Sequence, residues 1–215
     1  MEQNSPQPRN ISLNSATYLT AAHLKQQWPI STGFEVAFAG RSNVGKSSAI
    51  NAITDHHGLA KTSKTPGRTQ QIVFFDLNSG DRLVDFPGYG YAKVPANVKL
   101  HWKRTISDFI ETRDVLCGLV LPMDIRHPLT PLDITMLEWC SSVGLPVHVL
   151  LTKSDKLSKS RANAALFEVR KELKAYSASS IQLFSASKKV GVQEARKAII
   201  DFLLDAKKSP SNNSE

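Results

Sequence analysis

Eight consecutive residues, Gly40-Arg41-Ser42-Asn43-Val44-Gly45-Lys46-Ser47, spell GxxxxGK[ST], a pattern that suits a phosphate chain. Gly40 and Gly45 let the backbone turn tightly, so that successive N–H groups converge on phosphate oxygens. A helix starting near Lys46 would add the positive end of its dipole. Lys46 is spaced to reach the β- and γ-phosphates, and the Ser47 hydroxyl to ligate Mg²⁺. With Gly near 7% of residues, chance alone yields such a glycine turn in about 1% of chains this long. Context lowers that figure. The apolar run Phe34-Glu35-Val36-Ala37-Phe38-Ala39 precedes the loop and the helix-like run Ser48–Ile53 follows it, the strand, loop and helix that the chemistry requires.

Three more segments suit a guanine nucleotide. Asp85-Phe86-Pro87-Gly88 closes a predicted strand. There Asp85 would hold Mg²⁺ through water and the Gly88 N–H would meet a γ-phosphate. DxxG alone is weak, and Asp55-His56-His57-Gly58 fits it by chance, in a loop too close to Ser47. Thr152-Lys153-Ser154-Asp155 follows the apolar run Val147–Leu151. The Asp155 carboxylate can accept from guanine N1–H and the 2-amino group, a donor pair adenine lacks, while the Lys153 stem packs over the base. The bland alternative is a solvated turn after a strand. Phe184-Ser185-Ala186 ends another predicted strand, where the N–H near Ala186 could donate to guanine O6. That tripeptide carries almost no information by itself.

Positioning these segments takes a doubly wound α/β domain. Strands are expected near 34–39, 71–77, 81–86, 115–121, 146–151 and 180–185, and helices near 46–54, 96–112, 131–143, 160–175 and 191–205. Asn78-Ser79-Gly80 signals a hairpin, so the six-stranded sheet is mostly parallel with one antiparallel edge strand. Ligands in such sheets sit beyond the carboxyl ends of the strands. Residues 15–27 suit a short helix ending before Trp28-Pro29. Residues 1–14 and 207–215 are expected to be disordered tails around a single domain over 15–206.

The chain has 215 residues, 41% of them hydrophobic, and a net charge of +8, which favours an acidic partner such as nucleic acid as much as it describes a basic surface. Two cysteines, Cys117 and Cys140, suggest no disulfide framework and read as small core residues in a reducing cytosol. The histidines lack zinc-ligand spacing, and His148, in a predicted buried strand, reads as a hydrogen-bonded core residue. No apolar run approaches the ~20 residues of a membrane span, so a cytoplasmic location is expected.

With these segments in place, the chain resembles the translational GTPase superclass. More narrowly it is similar to the EngB (YihA/YsxC) family of bacterial ribosome-biogenesis GTPases, among the TrmE-Era-EngA-EngB-septin-like GTPases. Lys64-Thr65-Pro66-Gly67-Arg68-Thr69-Gln70 and Asp85-Phe86-Pro87-Gly88-Tyr89-Gly90-Tyr91-Ala92 carry the resemblance most specifically, and it spans about residues 14–206. Thr152 stands where Asn is commonest in GTPases at large, a departure the family tolerates. The resemblance implies a three-layer P-loop GTPase fold of the Ras-like type. It implies nucleotide contacts from Gly40 to Ser48, from Gly67, Arg68, Thr69, Gln70 and Gln71, from Asp85 to Gly88, from Thr152 to Asp155 and from Phe184 to Ala186. Thr69 becomes the switch residue that, with Ser47 and Asp85, holds Mg²⁺; an ordinary residue at a strand start is the alternative.

Ras-like GTPases place a water-orienting Gln after DxxG. Here Tyr89 stands there, with no side-chain amide and a phenol whose ordinary pKa is about 10, so hydrolysis is expected to be slow. Related GTPases offer a substitute: an Asn at the position of Asn43 helps to hold K⁺ near the phosphates. Lys46, Asn43 and Thr69 are the expected catalytic residues, although Asn43 merely shaping the loop weighs equally. Arg68 is expected to be a solvated or RNA-facing cation rather than a catalytic finger.

Basic residues gather at Lys61, Lys64 and Arg68, at Lys93, Lys99, Lys103 and Arg104, and at Lys188 and Lys189, with Tyr89 and Tyr91 as candidate stacking platforms for bases. The resemblance implies the large (50S) ribosomal subunit, rRNA and ribosomal proteins, as partner of the GTP state, a monomer, and a need for the protein in normal septation. A GTP-dependent scaffold of the division septum is the alternative, and an ATP-dependent kinase, opposed by Asp155, a third.

Overall fold

The computed structural model of the protein describes residues 10–61, 71–90, 96–176 and 179–208. In chain order these form β1 (Thr17–Ala22), β2 (Glu35–Phe38), α1 (Lys46–Thr54), β3 (Ile72–Asp76), β4 (Arg82–Asp85), α2 (Ala96–Thr112), β5 (Leu116–Asp124), α3 (Pro131–Ser142), β6 (Val147–Thr152), α4 (Lys159–Glu172), β7 (Ser179–Leu183) and α5 (Val192–Lys208). One seven-stranded sheet runs β1-β3-β4-β2-β5-β6-β7. Pairing is parallel from β4 through β7 and antiparallel at β1–β3 and β3–β4.

The mostly parallel sheet with antiparallel pairing at one edge is the architecture the sequence predicts, with a seventh strand added. That strand corrects the helix expected over 15–27. Thr17, Tyr18 and Thr20 prefer extended backbone, and the register from Thr17↔Asp76 to Ala22↔Ile72 satisfies groups on β3 that would otherwise form an open edge. Single turns of 3₁₀-helix, Leu13–Ser15 and Lys25–Gln27, flank it. Ile11 and Leu13, within the expected N-terminal tail, are buried against the sheet. At the other end α5 continues through Lys208, past the helix end expected near 205.

Side chains alternate along the central strands, as a period of two requires. Ala37, Leu119, Leu121, Met123, Val149 and Leu151 join Phe74, Phe86 and Phe109 on the α2–α3–α4 side. Val36, Phe38, Val120 and Leu150 meet Ile50 and Ile53 of α1 and Ile199 and Leu203 of α5 on the other. Phe109 centres the first layer, edge-on to Trp28 at 4.7 Å and to Phe86 at 5.2 Å between ring centroids.

The end of the sheet away from the glycine loop holds buried charge. Glu35, fully buried at the start of β2, accepts from Arg113 Nε at 2.9 Å and Arg113 Nη2 at 2.6 Å, with Arg82 Nη1 at 3.5 Å. Arg82 donates in turn to Asp76 at 2.7 Å and to the Ile30 carbonyl at 2.7 Å. In the Asn78-Ser79-Gly80 hairpin, buried Asp81 accepts from the Phe34 N–H at 3.0 Å, from the Ser79 hydroxyl at 2.6 Å and from Lys207 Nζ at 2.6 Å. The Cys117 thiol donates to the Glu35 carbonyl, and burial pushes it up to about 12; burial does the same for Cys140. Neither thiol is poised for thiolate chemistry.

Candidate nucleotide site

The glycine loop leaves β2 and enters α1 through left-handed backbone. Asn43 has φ 65° and Gly45, the residue before the first turn of α1, has φ 102°. Any side chain at Gly45 would be strained there. Val44 is buried and anchors the loop, leaving Asn43 and Ser48 exposed on either side of it. Lys46, nearly buried at the helix start, forms an ion pair with Asp85 Oδ1. Ser47 Oγ lies 3.4 Å from the Lys61 carbonyl.

The DxxG segment is an extension of the β2–β4 pairing. Phe38 pairs with Asp85, and the ladder goes on through Phe86 N–H to Phe38 O at 3.0 Å, Tyr89 N–H to Gly40 O at 3.2 Å and Ser42 N–H to Tyr89 O at 2.8 Å. Gly88 lies flat on Ser42: a Cβ there would stand 3.2 Å from Ser42 Oγ and 3.4 Å from its Cα. Burial raises the Asp85 carboxyl above its ordinary value, and Lys46 opposes that rise. Phe86 and Pro87 are buried, so only their backbone is available to a ligand.

Tyr89 turns inward. It is 5% exposed and packs in the α2–α3–α4 layer. Burial, with the charge of Asp133 next in effect, holds its phenol well above 10. It is neither a base nor a platform for stacking, which corrects the expectation that it faces RNA. Arg41 also points away from the loop. Its Nε lies 3.6 Å from Asp133 and its Nη2 donates to the His127 carbonyl at 3.3 Å, leaving its backbone as its contribution to a phosphate.

The segments expected to read the base end β6 and β7 at the same end of the sheet. Thr152 Oγ1, buried, lies 2.5 Å from the Val44 carbonyl and 3.0 Å from that of Met123, so its single proton is shared between the glycine loop and β5. A hydroxyl therefore serves where an amide is commonest. Lys153, at φ 58°, donates to the Asn43 carbonyl at 2.7 Å and pairs with Asp124 at 3.0 Å. Asp155 Oδ1 accepts from the Ser185 hydroxyl at 2.6 Å, which lowers its pKa and keeps it ionised at neutral pH. Ser154 N–H bonds the Phe184 carbonyl at 3.1 Å, joining the two segments, while the Phe184 ring is core and Ala186 is half-buried.

Asp124 was not foreseen. It closes β5 and takes three hydrogen bonds from Arg126, which pull its pKa far below the carboxylate range. Its second role, orienting Lys153, links residues from two strands. An Asp ending the apolar run Leu116–Met123 was the available signal.

A second support underlies the Phe184–Ala186 loop. His148 bonds Ser180 Oγ at 2.8 Å and Gln182 Oε1 at 2.8 Å, and Gln182 Nε2 donates to the Gly191 carbonyl at 2.7 Å. Burial lowers the His148 pKa. The unfolded ring titrates near 6.5, so between that value and the lower folded one the unfolded chain binds more protons. Stability is full above this window and falls as pH drops through it, by at most about 1.4 kcal/mol per pH unit. Urea midpoints measured from pH 8 to pH 5 should show this loss in the native chain and less of it in His148→Asn.

Gly67, Arg68, Thr69 and Gln70 lie outside the described residues, as does Tyr91. Gln71 precedes β3, whose Val73 pairs with Asp85, so it stands at the site end of the sheet. The donor set suits Mg²⁺: the Ser47 hydroxyl and the Asp85 carboxylate are hard oxygen ligands. Among the described residues no three His, Cys, Asp or Glu side chains gather to hold a metal.

Residues 35–153 match the family model described as "50S ribosome-binding GTPase". A probable GTP-binding protein EngB of Methylobacillus flagellatus is 54% identical over 86% of this chain and 90% of its own length. One from Neisseria meningitidis serogroup B is 49% identical over 96% of this chain and 99% of its own. A crystal structure of a probable GTP-binding protein engB superposes with a TM-score of 0.63 over 80% of this chain and 99% of that one, and at 21% identity it speaks for the fold alone. A phosphate loop zipped to a DxxG strand, a carboxylate-bearing base segment tied to both, and relatives alike over nearly their whole length lead to one assignment: this chain belongs to the EngB family of GTP-binding proteins.

Proposed function

We propose that the protein is a Mg²⁺-dependent, slow GTP hydrolase that acts as a switch in assembly of the large (50S) ribosomal subunit and so supports normal septation. The observation that carries the guanine assignment is the ionised Asp155, fixed by Ser185 at the end of the sheet that bears the glycine loop. Lys153 and Thr152 bond that loop directly, so base and phosphate recognition form one unit. The description of the matching family model supports the ribosomal partner.

In this reading the N–H groups of Gly40–Ser48 cradle the phosphates, and Lys46 leaves Asp85 to stabilise charge that develops on the γ-phosphate. Ser47, Asp85 and Thr69 would hold Mg²⁺, which would supply charge neutralisation at the phosphate oxygens. Gly67, Arg68, Thr69, Gln70 and Gln71 would add contacts to the nucleotide, Thr69 as the switch residue. With Tyr89 buried, no side chain at its position orients water, and turnover is slow. Asn43, exposed on the glycine loop, would help to hold K⁺. Turnover should therefore be several-fold faster in KCl than in NaCl, and equal rates would remove this role.

The protein acts as a cytoplasmic monomer; no described helix is long and apolar enough to cross a membrane. Calorimetry with GDP and ADP tests the nucleotide, and preference for ADP overturns the reading. Pull-down of large-subunit particles with GTP-loaded and GDP-loaded protein tests the partner. Equal or absent association in both states overturns the switch.

A further inference from the structure

Helix α4 buries one face and leaves an aromatic ring on the other. Ala162 and Val169 pack inward, with Leu173 just beyond the helix end, whereas Phe167 is 67% exposed. At about 100° per residue, Phe167 lies roughly 140–160° around the helix from Ala162 and Val169. Single exposed apolar residues are common and need no explanation. The company of Phe167 is what sets it apart. Asn163, Arg170 and Lys171 lie within roughly 60° of it around the helix, with Lys174 one turn on and Lys159 at the N-terminal end, all of them exposed. Both acidic residues of the helix, Glu168 and Glu172, fall about 100–140° away, on a flank shared with Arg161. Within that arc α4 carries cations and no carboxylate, with Glu168 on the flank three residues before Lys171.

We propose that this face of α4 binds single-stranded RNA, with Phe167 stacking on an unpaired base and Arg170, Lys171 and Lys174 neutralising the neighbouring phosphates. The chemistry is that of an aromatic stacking platform flanked by cations, which tolerates any base because every base has a π-face. None of these residues belongs to the segments that the proposed nucleotide site uses. It rests on the ribosomal reading only for the source of the RNA.

Fluorescence anisotropy of the full chain with a short, labelled, single-stranded oligoribonucleotide tests it, with an RNA duplex of equal length as the second probe. Phe167→Ala should weaken binding to the single strand by about fivefold to a hundredfold and binding to the duplex much less. Phe167→Tyr should restore it. Lys171→Ser should lower the slope of log affinity against log salt by about one. Because Phe167 is exposed, these variants should keep native urea midpoints and GDP affinity. Equal binding by Phe167→Ala and the native chain overturns the proposal, as does failure of the native chain to bind the single strand at low salt. Full retention by Phe167→Leu also overturns it, since that outcome marks an apolar protein contact rather than a stack. If these fail while GTP-dependent pull-down of large-subunit particles persists, the α4 surface falls and the ribosomal reading stands; if pull-down alone fails, the reverse holds.

Discussion

Replacing Asp155 with Asn is expected to lower GDP affinity by on the order of a hundredfold, roughly 3 kcal/mol. The same change should make xanthosine diphosphate the preferred ligand. In the proposed reading the carboxylate would accept from two guanine donors, and Ser185 donating to it lowers its pKa. An amide keeps the size but replaces one acceptor oxygen with a donor, which then faces the guanine 2-amino group. Xanthine carries a carbonyl there and suits the amide. Isothermal calorimetry with both diphosphates checks it. Unchanged GDP affinity would mean that the base lies elsewhere. The phosphate half of the site should survive, because the bonds from Thr152 and Lys153 to the loop do not pass through this carboxylate.

Glu35→Ala is expected to produce the largest loss of stability. Removing one partner from a buried ion pair typically costs about 3–5 kcal/mol, because the other charge is left without compensation. Here two guanidiniums, Arg113 and Arg82, would lose their shared carboxylate. For a domain of this size the cost corresponds to a fall in Tm of roughly 6–20 °C. Differential scanning calorimetry measures it. A shift of only a degree or two would show that water replaces the carboxylate at little cost. GDP binding by the fraction that remains folded should change little, since Glu35 begins the strand whose far end leads into the phosphate loop.

Local signals carried far in this chain. Gly40–Ser47, Asp85–Gly88 and Thr152–Asp155 are contiguous segments whose spacing is itself the chemistry, so their elements could be placed from sequence. His148 was legible as a hydrogen-bonded core residue, since a histidine in a buried strand needs partners. What escaped depended on distance along the chain. Glu35 sat inside an apolar run, and its partner Arg113 is 78 residues away. β1 had no pattern strong enough to declare itself, because its strand state depends on the open edge of β3. Tyr89 follows DxxG and could have faced either way; only the packing of α3 decides that it turns inward. Asp124 acquires its second role only when β5 and β6 lie side by side.

The Lys207–Asp81 pair bears on where the chain tolerates handling. Asp81 sits in the hairpin between β3 and β4 and its carboxylate is sealed from solvent, so the ammonium that meets it comes from the last turn of α5. A cut or fusion joint placed after Lys208 leaves this clasp closed. One placed before Lys207 leaves the buried carboxylate with its hydrogen bonds from Phe34 and Ser79 but without this ammonium, although fifteen of the seventeen helix residues remain. Labels and affinity handles for the RNA and ribosome measurements therefore belong beyond Lys208. At the other terminus the junction belongs ahead of Ile11, whose side chain is part of the packed interior.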